Sequence, residues 1–190
     1  MARAIIGALS FPPSCKIVSL IATIRSETLA EWIGRAGSIT RAIPLPSVAE
    51  LSGVTAIYPQ DQVVEELFGQ LGQVVAAASL GEFDGYAAAS ALMGTYFGLL
   101  ATAAGWMVER GADNQRARAY LGSLFHGLAQ TTAADERSFS DLIEAHSTPN
   151  GLNAQAWQQF RADGGAKILR DALAAVALRL ENSIPNERAD

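Results

Sequence analysis

Apolar positions follow two different rhythms along this chain, and the change between them falls near residue 80. Before it, Lys16-Ile-Val-Ser-Leu-Ile21, Ser38 to Ile43 and Val54 to Tyr58 are short runs rich in β-branched residues, the last two closed by prolines, which predicts three strands. A last strand is predicted over Gln73 to Ser79. Residues 2 to 10 can end a helix, broken by Pro12-Pro13. Ser26-Glu-Thr-Leu-Ala-Glu-Trp-Ile-Gly34 has the spacing of an amphipathic helix, with Ser26 as cap and Gly34 as stop. Asp61 is placed to cap another, running to about Gly69 with Val63, Val64, Leu67 and Phe68 on one face. Strand, helix, strand at this spacing predicts a parallel unit, so the first sixty residues read as part of a doubly wound sheet.

From Glu82 onward the pattern is helical: roughly 84–110, 113–131, 134–146, 153–162 and 164–182. Gly111 with Asp113, Thr132, Asn153 and Gly164-Gly165 mark the boundaries, and the tail Asn182 to Asp190 reads as frayed. The domains expected are 1–80, an α/β portion, and 81–190, all helical. Gly85 to Val108 contains no charge, enough to cross a bilayer by length, and Gly94 and Gly98 form a GxxxG pair. Its residues are mostly Ala, Gly, Ser and Thr, however, which provide little transfer energy. The segment is therefore read as a helix enclosed on all sides by neighbouring helices, with a single membrane span as the alternative.

Composition narrows the function. Hydrophobic residues make up 49% and charged ones 17% of the 190 residues, a balance that favours hiding surface in a second copy. A net charge of −5 and the absence of Lys/Arg runs argue against nucleic acid. The lone Cys15 fits a reducing cytoplasm, and no secretory leader is expected. His126 and His146 lack metal-ligand spacing, so no metal site is expected. His126 is read as a partly buried packing residue, and His146 as a ligand-facing or helix-end residue. The acidic cluster Asp135, Glu136, Asp141 and Glu144 reads as a solvated face, and Trp32, Trp106 and Trp157 as core.

Three motifs point to one family. Phe83-Asp84 opens the long helix, followed by Ser90 and Tyr96; Thr148-Pro149-Asn150-Gly151-Leu152-Asn153 lies between helices; and Ala42-Ile43-Pro44-Leu45-Pro46-Ser47 follows a strand. In this order, with Gly53-Val-Thr-Ala-Ile-Tyr58, they resemble the pyrroline-5-carboxylate reductases, which reduce a cyclic imine to proline with NAD(P)H. The resemblance implies a partial Rossmann-like sheet, an α/β remnant, followed by a C-terminal helical dimerisation bundle. It also implies an intertwined homodimer or higher oligomer with a small imino or amino acid as ligand. Substrate-binding positions carried over are Ser90, Thr148, Asn150, Gly151 and Asn153; cofactor-binding positions are Pro44 and Ser47. No catalytic residue is implied.

The chain departs from the family at these same positions. Ala87 stands for a Thr, Ala91-Leu92-Met93-Gly94 for Gly-Ser-Gly-Pro, Leu152-Asn153 for a Thr pair, and Leu45 for an Asn. A tight turn with Asn153 as N-cap explains the 148–153 segment equally well. The family's Gly-rich nucleotide turn has no counterpart, since the chain starts where the later part of that domain would be. NADP or NAD is thus the family's cofactor but is not expected to bind this chain alone. The alternative to a reductase is a non-enzymatic dimeric module with a degenerate pocket for a small acid.

Overall fold

A computed structural model describes residues 2–34 and 37–182. The predicted frayed tail, beyond Asn182, and Arg35-Ala36 lie outside the described residues. The chain forms two compact units, one of residues 1–91 with 173–190, the other of residues 92–172.

The first unit is built on a sheet of β1 (Lys16–Ser19), β2 (Ser38–Pro44), β3 (Gly53–Tyr58) and β4 (Gly72–Ala76), in that order across the sheet. β1 pairs with β2, and β3 with β4, in parallel, as the strand–helix–strand spacing predicts. β2 and β3 run antiparallel, so the sheet is mixed and not wholly doubly wound. The reason is the connection: between them lies only a 3₁₀ turn, Pro46–Glu50, too short for the crossover a parallel pair needs.

Helix α1 (Ala2–Ile6) and α2 (Ser26–Ile33) cover one end, packing Ile24, Leu29 and Ile33 against Ile17 and Ile39. Arg25, not Ser26, occupies the cap position of α2, without a side-chain bond; Gly34 ends the helix as expected. Helix α3 (Gln62–Gly69) buries Val64 and Phe68 on Ala42 and Ile57, its N-terminus capped by Asp61 as predicted. Gly72 brings β4 against β3: its φ is 138° and an added Cβ would strike the Gly53 backbone, while a Cβ on Gly53 would strike the Val48 backbone, so both positions require glycine. β4 ends at Ala76, earlier than predicted, because Ser79 is used to cap α4 (Leu80–Ser90). The other sheet face is covered by α4 and the last turns of α9, where Ala87 and Ala88 pack on Leu180.

In the second unit, α5 (Leu92–Glu109) and α6 (Asn114–Ala134) form a helical hairpin. The predicted single helix over 84–110 is interrupted at Ala91, which separates α4 from α5. Asp113 caps α6, which runs past Thr132: the Thr131 and Thr132 hydroxyls donate to carbonyls one turn back and leave the helix intact. Helix α7 (Phe139–Ala145) starts at a Ser138–Asp141 capping box, later than the predicted 134. α8 (Leu152–Ala162) follows, and α9 (Gly165–Glu181) carries the chain from this unit back into the first. Two expectations fail here. His126 is exposed, and Trp106, 56% exposed, lies under the Arg110 guanidinium instead of in a core.

Candidate functional site

An apolar groove of about 240 Å³ lies between α4 and the sheet in the first unit. Its α4 wall is Tyr86, Ala89 and Ser90, which share a face because they are three and four residues apart. Its sheet wall is Ile43 and Leu45 with Val54, Ala56 and Val75. Strand alternation separates the sequence-derived residues here: Ile43 and Leu45 line the groove, while Pro44, one step out of phase, does not. Ser47 sits in the 3₁₀ turn, its carbonyl taking the Ser52 N–H. So the structure brings Ser90 together with the neighbours of Pro44, but brings neither Pro44 nor Ser47 into the groove.

Ser90 spends its hydroxyl proton within its own helix, donating to the Ala87 carbonyl at 2.7 Å. At the same wall the Tyr86 hydroxyl donates to Glu82 at 2.5 Å, and the other Glu82 oxygen accepts the Ala78 N–H at 2.7 Å. The Tyr86 hydroxyl, and then the Ala78 N–H, hold the Glu82 carboxyl below its ordinary range, while the bond to Glu82 pushes the tyrosine above its own. Tyr86 is thereby kept protonated and aimed at a carboxylate.

Beneath α4 lies a cluster that sequence reasoning missed. Arg41 is 3% exposed in its side chain; one guanidinium nitrogen lies 3.4 Å from Asp84, another donates to the Ala22 carbonyl at 2.7 Å, and the guanidinium carbon is 4.6 Å from the Phe83 ring centre. Burial pushes the Arg41 pKa down, and Asp84 opposes that shift. The cluster ties the loop after β1 to β2 and to the start of α4. Phe83-Asp84 were singled out in the sequence but not their partner, whose signal was a charge inside an otherwise uncharged strand, Ser38-Ile-Thr-Arg-Ala-Ile43.

The Thr148–Asn153 turn belongs to the second unit. Asn150 adopts the left-handed conformation, φ 59°, that its residue type tolerates. Gly151 donates to the Thr148 carbonyl at 2.8 Å, and a Cβ on it would collide with the Thr148 hydroxyl and approach that carbonyl to 2.9 Å. Asn153 is not the cap: Gly151 holds that position, and the Asn153 amide donates to the His146 carbonyl at 2.9 Å, closing the turn. The His146 ring bonds the Leu142 carbonyl of its own helix.

The decisive observation comes from comparison with known families. The profile described as pyrroline-5-carboxylate reductase dimerisation matches residues 82–183, more than half the chain. The chain belongs to the pyrroline-5-carboxylate reductase family. A pyrroline-5-carboxylate reductase of Pseudomonas aeruginosa is 26% identical over 175 residues, covering 88% of this chain and 64% of its own length. A delta-1-pyrroline-5-carboxylate reductase of Gibberella fujikuroi is 27% identical over 192 residues, covering 94% and 61%. The chain thus spans less than two thirds of either relative. Among solved structures, the 1-pyrroline-5-carboxylate reductase of Streptococcus pyogenes superposes with a TM-score of 0.82 at 19% identity, covering 94% of this chain and 71% of that one. That of Coxiella burnetii gives 0.77 at 20% identity over 95% and 68%. The Plasmodium falciparum enzyme, solved with NADP bound, gives 0.75 at 14% over 87% and 66%. These likenesses establish the fold of the reductase family for this chain.

The helix starts of this reductase-family chain can be tested against a dinucleotide. Pyrophosphate requires free N–H groups at a helix N-terminus following a strand. At α3 those groups are taken by the Asp61 carboxylate, which accepts from Val63 and Val64 and pairs with Lys16. At α4, Ser79 accepts the Glu82 N–H, and the Glu82 carboxylate accepts that of Ala78. α2 has Glu27 in its first turn. Each start already carries a negative charge, and the described residues do not fit a pyrophosphate.

Proposed function

We propose that this chain serves as the acid-binding and dimer-forming part of a pyrroline-5-carboxylate reductase-like activity in proline biosynthesis, and that by itself it binds NADH and NADPH too weakly to reduce a substrate. The family match over residues 82–183 is the observation that carries this reading. The reaction would saturate a cyclic C=N bond, with the ligand approached from the α4 wall by Ser90. The carboxylates at the starts of α2, α3 and α4 support the nucleotide half of the proposal, because each repels the pyrophosphate it would have to hold.

Support for the homodimer comes from α5. None of its side chains is buried within the single chain, and Met93, Tyr96, Phe97, Leu99, Trp106 and Val108 are all exposed. The stretch Leu80–Glu109, of which α5 is the second part, is long and apolar enough to cross a membrane, with a mean hydropathy of 1.4 over its best window, yet α5 carries small residues suited to close helix packing. A second copy is the occupant we propose, in the cytoplasm. The alternative reading, a non-enzymatic dimeric module, is favoured by the same carboxylate-capped helix starts.

One set of measurements separates these. Calorimetric titration of the purified 190-residue chain with NADPH should show no saturable binding at micromolar concentrations; saturable micromolar binding refutes the nucleotide half. Oxidation of NADPH by the chain with pyrroline-5-carboxylate, above background, would establish a self-sufficient enzyme. Binding of proline without turnover supports the acid-binding part. The absence of any acid binding leaves the assembly module standing.

A further inference from the structure

Strand β1 is at odds with its place in the sheet. It pairs with β2 alone and so forms an edge. Both of its faces are nevertheless covered: Ile17 packs against the cluster of Leu29 and Ile33, and Val18 against that of Ala42, Ile57 and Phe68. A strand apolar on both faces belongs to the interior of a parallel sheet, whereas edge strands are blunted by charge, proline or a covering element. The one charge in β1, Lys16, is paired with Asp61 at the start of α3. Leu20, directly after the strand, is 58% exposed. The Gly37 N–H bonds the Cys15 carbonyl at 3.1 Å, so Cys15, Ile17 and Ser19 turn their backbone groups toward β2. By alternation, Lys16 and Val18 turn theirs outward. The opposite edge differs: β4 starts at Gly72, with φ 138°, and runs into Ala76-Ala77-Ala78, residues with little strand preference.

We infer that the open edge of β1 is a docking site for a strand of a second polypeptide, running parallel to β1 and belonging to a strand–helix unit that holds a dinucleotide. The direction follows from β1 and β2, which with α2 between them already form a parallel strand–helix–strand unit. The chemistry follows from what this chain refuses, since its own helix starts carry carboxylates. A strand added beside β1 brings the start of its following helix to the carboxyl end of the sheet, next to Ser19 and the loop after it, where a pyrophosphate is held in sheets of this kind. A second copy is the poorer occupant. Copies joined through β1 as well as α5 would have two separate two-fold contacts per chain and would grow into an open series. The inference deepens the reading of this chain as one part of a reductase-like activity and rests on it for the dinucleotide, while the open edge rests on the sheet alone.

The test co-expresses the full chain with the segment of the Pseudomonas aeruginosa reductase that lies outside its match to this chain. Sedimentation and amide hydrogen exchange are first measured without nucleotide, so that the edge is tested apart from the reductase reading. One segment should bind per chain and slow exchange of the Val18 amide about 100-fold, leaving the amides of α5 unchanged. Val18→Pro removes an outward N–H, a change that edge strands tolerate. Leu20→Lys places a charge at an exposed position beside the edge. Each should weaken the complex about tenfold or more, with circular dichroism of the chain alone unchanged; if Val18→Pro loses its fold, Leu20→Lys decides. Absence of a complex overturns the inference, as does a complex that leaves the Val18 amide exchanging freely or that ignores Leu20→Lys. Slow exchange of Val18 in the chain alone at every dilution would show an edge already covered, and slow exchange only at high concentration would show a second copy there; either overturns it. NADPH added to the finished complex should bind, and its failure to do so would overturn the dinucleotide assignment while leaving the edge standing.

Discussion

Removing the Asp84 carboxylate would leave the Arg41 guanidinium buried with only a carbonyl and an aromatic face for company. Breaking a buried pair on one side costs about 3–5 kcal/mol, and the long 3.4 Å contact places Asp84→Ala at the lower end of that range. Urea unfolding should show the loss, and Arg41→Met in the same chain should recover most of it by removing the stranded charge. A second residue-scale expectation concerns acid. The Arg137 guanidinium, by its side-chain bonds, and the Arg137 backbone N–H hold the Asp135 carboxyl down to about 2, from an ordinary 3.8. A depressed folded-state value means the pair's contribution is complete above pH 3.8 and vanishes as pH falls through about 2. An NMR titration should find the Asp135 midpoint near that low value, and Arg137→Gln should return it toward 3.8. Asp135 belonged to an acidic cluster in the sequence, but its pairing was not readable there: the preference for Arg137 is set by the bend between α6 and α7, which composition does not reveal.

Helices and strands were legible wherever the local signal agreed with the neighbours. Asp61 and Asp113 cap α3 and α6 because a short acceptor before an apolar helix has one competitive use. Ser26 looked the same, yet the chain enters α2 one residue earlier, where Arg25 reaches the carbonyl of Glu181 in the last turn of α9. That partner lies far along the chain, beyond any local window. The break at Ala91 was hidden for a related reason, since an uninterrupted run of small apolar residues carries no punctuation. For α5 a discriminating substitution exists. A Cβ at Gly98 meets nothing within 4 Å in the single chain, so Gly98→Leu has room in an isolated protomer. Any effect therefore reports a neighbour from outside: we expect helix content to be preserved and the dimer weakened by about 1–3 kcal/mol, read by light scattering across a dilution series. An unchanged association curve would remove Gly98 from the interface.

At the scale of the whole molecule, the first unit is assembled from both ends of the sequence. Leu180, 9% exposed, closes over Ala87 and Ala88, with Ala22 and Ile43 beside it. Leu180→Ala should cost about 2–3 kcal/mol and should lower protection from hydrogen exchange in β2 and α4 while sparing α5 and α6. Uniform loss across both units would contradict that division. The overall class, a small sheet followed by helices, was readable from rhythm alone. The return of α9 to the sheet was not, because its residues carry the same helical period whichever unit receives them.

That return has a consequence for how the protein comes into being. A ribosome delivers residues 1–91 before residues 173–181, so the hydrophobic cover of α4 arrives only with the final turns of α9. The hairpin of α5 and α6 is translated before those turns. During synthesis the sheet must therefore wait, with one side of α4 uncovered, while residues 92–172 are made, and a later helix completes a unit whose strands were made earlier.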